Sequence, residues 1–92
     1  MKKYLKGTRQ AITDESIVIY LEYYLIESIY YEKEKTKTAY GIEVLMKNNE
    51  YYETDIVEKI TNQKEKVLEM INKIIGNMVT PVGLIYAIDE LY

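Results

Sequence analysis

The stretch IVIYLEYYLI, residues 17–26, decides how the chain is read. Apart from Glu22, every residue in it is β-branched, leucine or tyrosine. Such side chains fit the pleated, half-buried surface of a strand. The odd positions run Ile17, Ile19, Leu21, Tyr23 and Leu25, all apolar. The even positions run Val18, Tyr20, Glu22, Tyr24 and Ile26, an amphipathic set. A period of two with one wholly apolar face marks a strand lying on a core. The competing reading is a helix, because Ile17, Tyr20, Leu21, Tyr24, Leu25 and Ser28 also share one helical stripe. The β-branched and tyrosine content favours a strand over residues 17–31.

Before this strand, residues 2–12 read as a weaker strand interrupted at Gly7. Residues 13–16, with short polar side chains that compete for the backbone, read as a turn. After it, residues 32–37 are expected to form a charged loop. Residues 39–46 form the next strand, with Tyr40, Ile42, Val44 and Met46 on one face. Asn48 and Asn49 mark a hairpin, since asparagine tolerates positive φ. Residues 51–57 return. A one-residue slip would flip every side chain, so burial is expected to choose the register. A three-residue loop, 48–50, matches Met46 with Tyr52, Val44 with Thr54 and Ile42 with Ile56. It also sets Glu43 across from Asp55.

Two helices complete the chain. Asn62 with Glu65 three residues on reads as a capping box. Val67, Leu68, Ile71, Ile74 and Ile75 make one apolar helical face, and Gly76 is the expected stop. In the second, Thr80 is the expected N-cap, Pro81 fits the first helical position, and Val79 can staple onto Leu84. Leu84, Ile85, Ile88 and Leu91 then face the core. The expected architecture is a two-layer α+β domain, ββββαα: a four-stranded antiparallel meander with two C-terminal helices on one face.

Ninety-two residues make one small domain spanning 1–92. At 48% hydrophobic and 29% charged residues, the chain has the balance of a folded protein rather than a disordered one. There is no cysteine, which excludes a disulfide framework and thiolate metal sites. MKKYLKGTRQ starts positively but leads into no apolar run, so a secretory signal is not expected. No apolar run approaches the length of a membrane span, and a cytoplasmic location is expected.

The chemistry-bearing residues are few. No histidine or cysteine is present, which removes the commonest general base, nucleophile pairs and transition-metal ligands. The four glycines are scattered and build no phosphate loop. No catalytic residue, cofactor site or metal site is expected, and no small-molecule substrate is evident. A two-carboxylate site, Glu43 with Asp55, can be drawn and would underlie a small enzyme or metal-dependent regulator. Solvated surface acids are the simpler reading.

Eleven tyrosines, with no phenylalanine or tryptophan, are the main compositional oddity. They include the pairs 23–24, 30–31 and 51–52. Neighbours on a strand point to opposite faces, so each pair gives one ring to each side. If the helices cover the face of Leu21 and Tyr23, then Val18, Tyr20, Tyr24 and Ile26 stand on the other. Tyrosine there either merely fits the pleat or makes an interaction surface, where it buries area while its hydroxyl stays wet. The function read from the residues is therefore a non-enzymatic protein-interaction or regulatory module. It would bind a partner protein or itself, as a homodimer or other homo-oligomer, through Val18, Tyr20, Tyr24 and Ile26. The alternative is a nucleic-acid-binding accessory protein using the basic N-terminal strand, with Lys2, Lys3, Lys6 and Arg9. A net charge of −3 argues against it. Those lysines also suit an edge strand guarded against pairing.

Four segments carry a resemblance: LEYYLIES (21–28), YGIEV (40–44), KEKVLEMINKI (64–74) and VTPVGLIYAIDEL (79–91). Together they are similar to a family of small uncharacterised proteins from spore-forming anaerobic Gram-positive bacteria. The likeness covers the chain from about residue 17 onward, and the VTP before the last helix is its most distinctive element. It implies a cytoplasmic bacterial protein with no assigned activity, and it brings no functional residue with it.

Overall fold

The computed structural model describes residues 1–92. The first four elements are strands: β1 (Lys2–Ile12), β2 (Val18–Glu32), β3 (Lys35–Lys47) and β4 (Tyr52–Thr61). The helix α1 (Lys64–Gly76) follows. A 3₁₀ turn (Pro81–Gly83) then leads into α2 (Leu84–Leu91). The strands form one antiparallel sheet in the order β1-β2-β3-β4. This is the ββββαα architecture expected from the sequence, and the stretch that decided it is strand from Val18 onward.

The helices cover one face. Leu21, Tyr23 and Leu25 of β2 and Ile42 and Val44 of β3 are buried there against Val67, Met70, Ile71, Ile74, Leu84 and Ile88. Cross-strand partners share a face, and the pairs Leu21–Met46, Tyr23–Val44 and Leu25–Ile42 put both apolar sets on the helix side. Tyr23 also donates its hydroxyl to the Val79 carbonyl at 2.9 Å, tying the middle of the sheet to the start of the last helical segment. On the edge strand, Arg9 Nη1 donates to the Ile75 carbonyl at 3.2 Å. That places a cation at the C-terminal end of α1, where the helix dipole favours it.

Several local expectations are corrected. Residues 32–37 are not a loop. The β2–β3 turn is only Lys33-Glu34, with Glu32 paired to Lys35. Both turn residues have positive φ, 50° and 63°, as a type I′ hairpin requires. The β3–β4 loop has four residues rather than three, because Lys47 pairs with Tyr52, Val44 with Asp55 and Ile42 with Val57. Asn48 drives this: its side-chain oxygen accepts from the backbone N–H groups of Glu50 and Tyr51. The helix α1 starts after Gln63 rather than Asn62, and no side chain caps it. Its stop is not Gly76. Met78 takes the left-handed position (φ 50°), with Met78 N–H bonded to Ile75 O and Val79 N–H to Ile74 O. That is a Schellman closure without glycine. Ile85 is exposed rather than in the core.

Two bulges bend the sheet. In β1 the register shifts between Leu5 and Gly7. In β4 it shifts beyond Val57, where Lys59 has φ 53°. A β-carbon on Gly41 would lie 2.1 Å from the Val57 carbonyl oxygen and 2.8 Å from Glu58 Cα. A bulge of β4 at residues 58–60 therefore crosses over Gly41, the one position of β3 without a side chain, before Thr61 pairs again with Tyr40. Within that bulge Glu58 and Lys59 reach over the face opposite the helices, while Ile60 packs toward the helix-side core. Ser28 donates to Glu58 there, and Lys59 stands above the Tyr30 ring.

Candidate functional site

The curl of β4 divides the face that the helices leave uncovered. One half, with Ile26, Ser28, Ala39 and Gly41, is buried beneath β4. The other half is a concavity of about 650 Å³. Its floor carries Lys3, Glu22, Glu43, Leu45, Lys47 and Thr54, and Tyr51 and Tyr52 stand at its rim.

Alternation places these side chains. Glu22 and Tyr24 of β2, Glu43, Leu45 and Lys47 of β3, and Tyr52 and Thr54 of β4 all point away from the helices. The charges settle into two groups. Lys3 Nζ is 3.1 Å from Glu43 Oε1, and Thr54 Oγ1 donates to Glu43 Oε2 at 2.9 Å. Glu43 is largely buried, so both its oxygens are satisfied where water is scarce. In the second group, Lys47 Nζ lies 2.8 Å from Glu22 Oε2 and the Tyr24 hydroxyl donates to Glu22 Oε1. The hydrogen bond from Lys47, followed by that from Tyr24, holds the Glu22 carboxyl below its ordinary pKa. The reciprocal effect raises Tyr24 to about 12, because a phenol that donates to a carboxylate resists ionisation. The Tyr24 ring also lies under Lys3 Nζ, 4.5 Å from its centroid, which links the two groups.

The expected surface of Val18, Tyr20, Tyr24 and Ile26 lies on this face, but not as one patch. Tyr20 is open to solvent, and Val18 and Tyr24 are half-buried. Ile26 is 0% exposed under β4 and supplies no surface. Tyr52, at 70% exposure, belongs to the open half and was not among the expected residues. The three-residue loop would have turned it toward the helices; the four-residue loop turns it outward. The four N-terminal cations are also divided. Lys3 serves Glu43 on the open face, while Arg9 reaches Ile75 on the helix side. Glu43 and Asp55 point to opposite faces, being paired with Ile56 and Val44, so they build no two-carboxylate site. No group of three or more histidine, cysteine, aspartate or glutamate residues is placed to hold a metal ion. No helix is long and apolar enough to cross a membrane.

The chain belongs to DUF6514, a family of unknown function, whose model matches residues 2–92. No curated protein and no solved structure matches it.

Proposed function

We propose that this DUF6514 protein is a non-enzymatic interaction or regulatory module that receives an extended segment of a partner protein on the open half of its sheet. One observation carries the reading: half of the face opposite the helices remains an uncovered concavity of about 650 Å³, rimmed by tyrosine and floored by paired charges of both signs. Tyr52 at the rim, and Tyr20 next to the concavity on the far side of Lys47, offer ring surface, a property that suits interface residues. The two Lys–Glu pairs supply donors and acceptors together. That mixture fits a polypeptide better than a polyanion, which calls for an excess of cations. Tyr24, held between Glu22 and Lys3, braces two floor residues rather than serving as an anchor.

Selection of extended peptides from a random displayed library tests the reading. Binders are expected to weaken by about tenfold or more, ~1.4 kcal/mol, when Tyr20→Ser and Tyr52→Ser are combined. The melting temperature should stay near that of the parent. Binders indifferent to both substitutions, or a library that yields none, would overturn it.

A further inference from the structure

The sheet is open, so it ends in two unpaired edges, β1 and β4. Their charges are opposite. Along β1 stand Lys2, Lys3, Lys6 and Arg9, with no acid. Along β4 stand Glu53, Asp55 and Glu58 against the single base Lys59. Two copies meeting by like edges would bring like charges together, which is unfavourable. An unlike meeting brings opposite charges together. The topology permits that meeting. Strand direction alternates across the sheet, so β1 and β4 run in opposite senses. A copy placed alongside sets its β4 antiparallel to the β1 of its neighbour and keeps all helices on one side. Each edge also exposes apolar surface. Tyr4 and Leu5 lie on β1, and Val82 lies beside Glu53 and Asp55 at the β4 edge.

We propose that the chain self-associates head to tail, with the basic edge β1 of one copy pairing with the acidic edge β4 of a second copy. Lys2 and Lys6 form no ion pair within the chain, nor do Glu53 and Asp55, so these charges are available. The bulges limit the contact. Uninterrupted ladder geometry extends over Lys2–Leu5, the half of β1 that carries Lys2 and adjoins Lys6, and over Tyr52–Val57 on the other edge. Short pairing of this kind gives an association that depends on concentration. The contact is heterologous, so it leads to a ring or a growing row rather than a closed two-fold dimer. It leaves Tyr20 and the part of the concavity floor on β2 and β3 free.

Light scattering at low salt is expected to give a mass that rises with concentration in steps of 10.9 kDa. Raising salt from about 0.01 M to about 1 M shrinks the screening length from roughly 30 Å to 3 Å and should return the protein to single chains. Two charge-reversed proteins, Lys2→Glu/Lys6→Glu and Glu53→Lys/Asp55→Lys, should each stay single. Mixed in equal amounts, they should assemble again, because the native β4 edge of the first meets the native β1 edge of the second. Circular dichroism checks that each is folded, and the salt titration of the unsubstituted protein stands if either is not. Single chains at every concentration, a mass indifferent to salt, or a mixture of folded variants that stays single would each overturn the proposal. The Tyr20→Ser protein, substituted on an interior strand, should assemble normally while its peptide binding weakens. Loss of peptide binding and loss of assembly therefore report on separate surfaces.

Discussion

Tyr23 and Tyr24 are adjacent in the chain and have opposite surroundings. Tyr23 points under the helices and is fully buried, with its hydroxyl on a backbone carbonyl. Tyr24 points to the face opposite the helices, beside the concavity, with its hydroxyl on Glu22 and a lysine over its ring. Both are raised to about 12, but for different reasons. Burial does it for Tyr23, partly opposed by Arg9, whereas the hydrogen bond to Glu22 leads for Tyr24. On one face, then, polarity is a fixture inside an apolar core. On the other, polarity is the surface itself. The two faces of one strand have been given different work by the parity of position alone.

The largest effects should test whether facing the helices is what matters, or burial. Leu25 and Ile26 are 1% and 0% exposed on opposite faces. Truncating a buried leucine or isoleucine to alanine costs about 2–5 kcal/mol. Leu25→Ala and Ile26→Ala are both expected in that range by denaturant unfolding. A cost below about 1 kcal/mol for Ile26→Ala would mean that β4 does not lie over it. Gly41→Ala should come next, at about 1–3 kcal/mol or more, since its β-carbon would meet backbone rather than a yielding side chain. It should also expose Ile26 and Ser28 together, seen as faster exchange of their amides, because it forces β4 off the open face.

That crossing also marks where the sequence stopped being legible. The strand order and the helix-facing set of β2 and β3 follow from period and propensity, which are local; Pro81, expected to open the last helix, opens a 3₁₀ turn instead, and α2 starts at Leu84. Ile26 has the same period as Tyr20 and Tyr24. Only the crossing at Gly41 separates it from them, and nothing near Ile26 encodes a bulge more than thirty residues away. In the register of β4, apolar matching favours Ile42 with Ile56, whereas the Asn48 side chain stabilises a four-residue loop that pairs Ile42 with Val57. The price of that one-residue slip was Tyr52, the most exposed aromatic ring at the rim of the concavity. The two-residue turn at Lys33-Glu34 was hidden for another reason. A lysine and a glutamate hold φ values that asparagine and glycine normally signal.

Smaller effects separate the paired tyrosines. Tyr23→Phe leaves the Val79 carbonyl without its donor and is expected to cost about 1–2 kcal/mol. Tyr24→Phe should cost about 0.5 kcal/mol or less, because Glu22 keeps Lys47 in a wetter setting. The pH dependence follows from the same causes. A raised phenol pKa means that the neutral form is favoured in the fold. Its stabilisation is complete below the unfolded value of about 10 and is lost as pH rises through about 12. Glu22 has the opposite sense: its lowered pKa stabilises above 4.5 and that contribution is lost as pH falls below it. Tyrosinate absorbance should therefore respond to Glu22→Gln by an earlier ionisation of Tyr24, with Tyr23 unmoved. An equal shift of both would contradict separate environments.

The smallest expected effect bears most on function. Tyr20 is on the same face and in the same strand as Ile26, yet at 43% exposure it makes no hydrogen bond or ion-ring contact within the chain. A surface substitution away from such features changes stability by no more than about 0.5 kcal/mol. Tyr20→Ser should fall within that bound by thermal unfolding. A ring that only fits the pleat would lose cross-strand contacts with Gln10 and Lys47, its neighbours on β1 and β3, and a cost near 1 kcal/mol would show it. Indifference of the fold to Tyr20, set against a cost of several kcal/mol at Ile26, would leave the ring without a structural reason to be there. Its remaining use is then to meet something outside the chain.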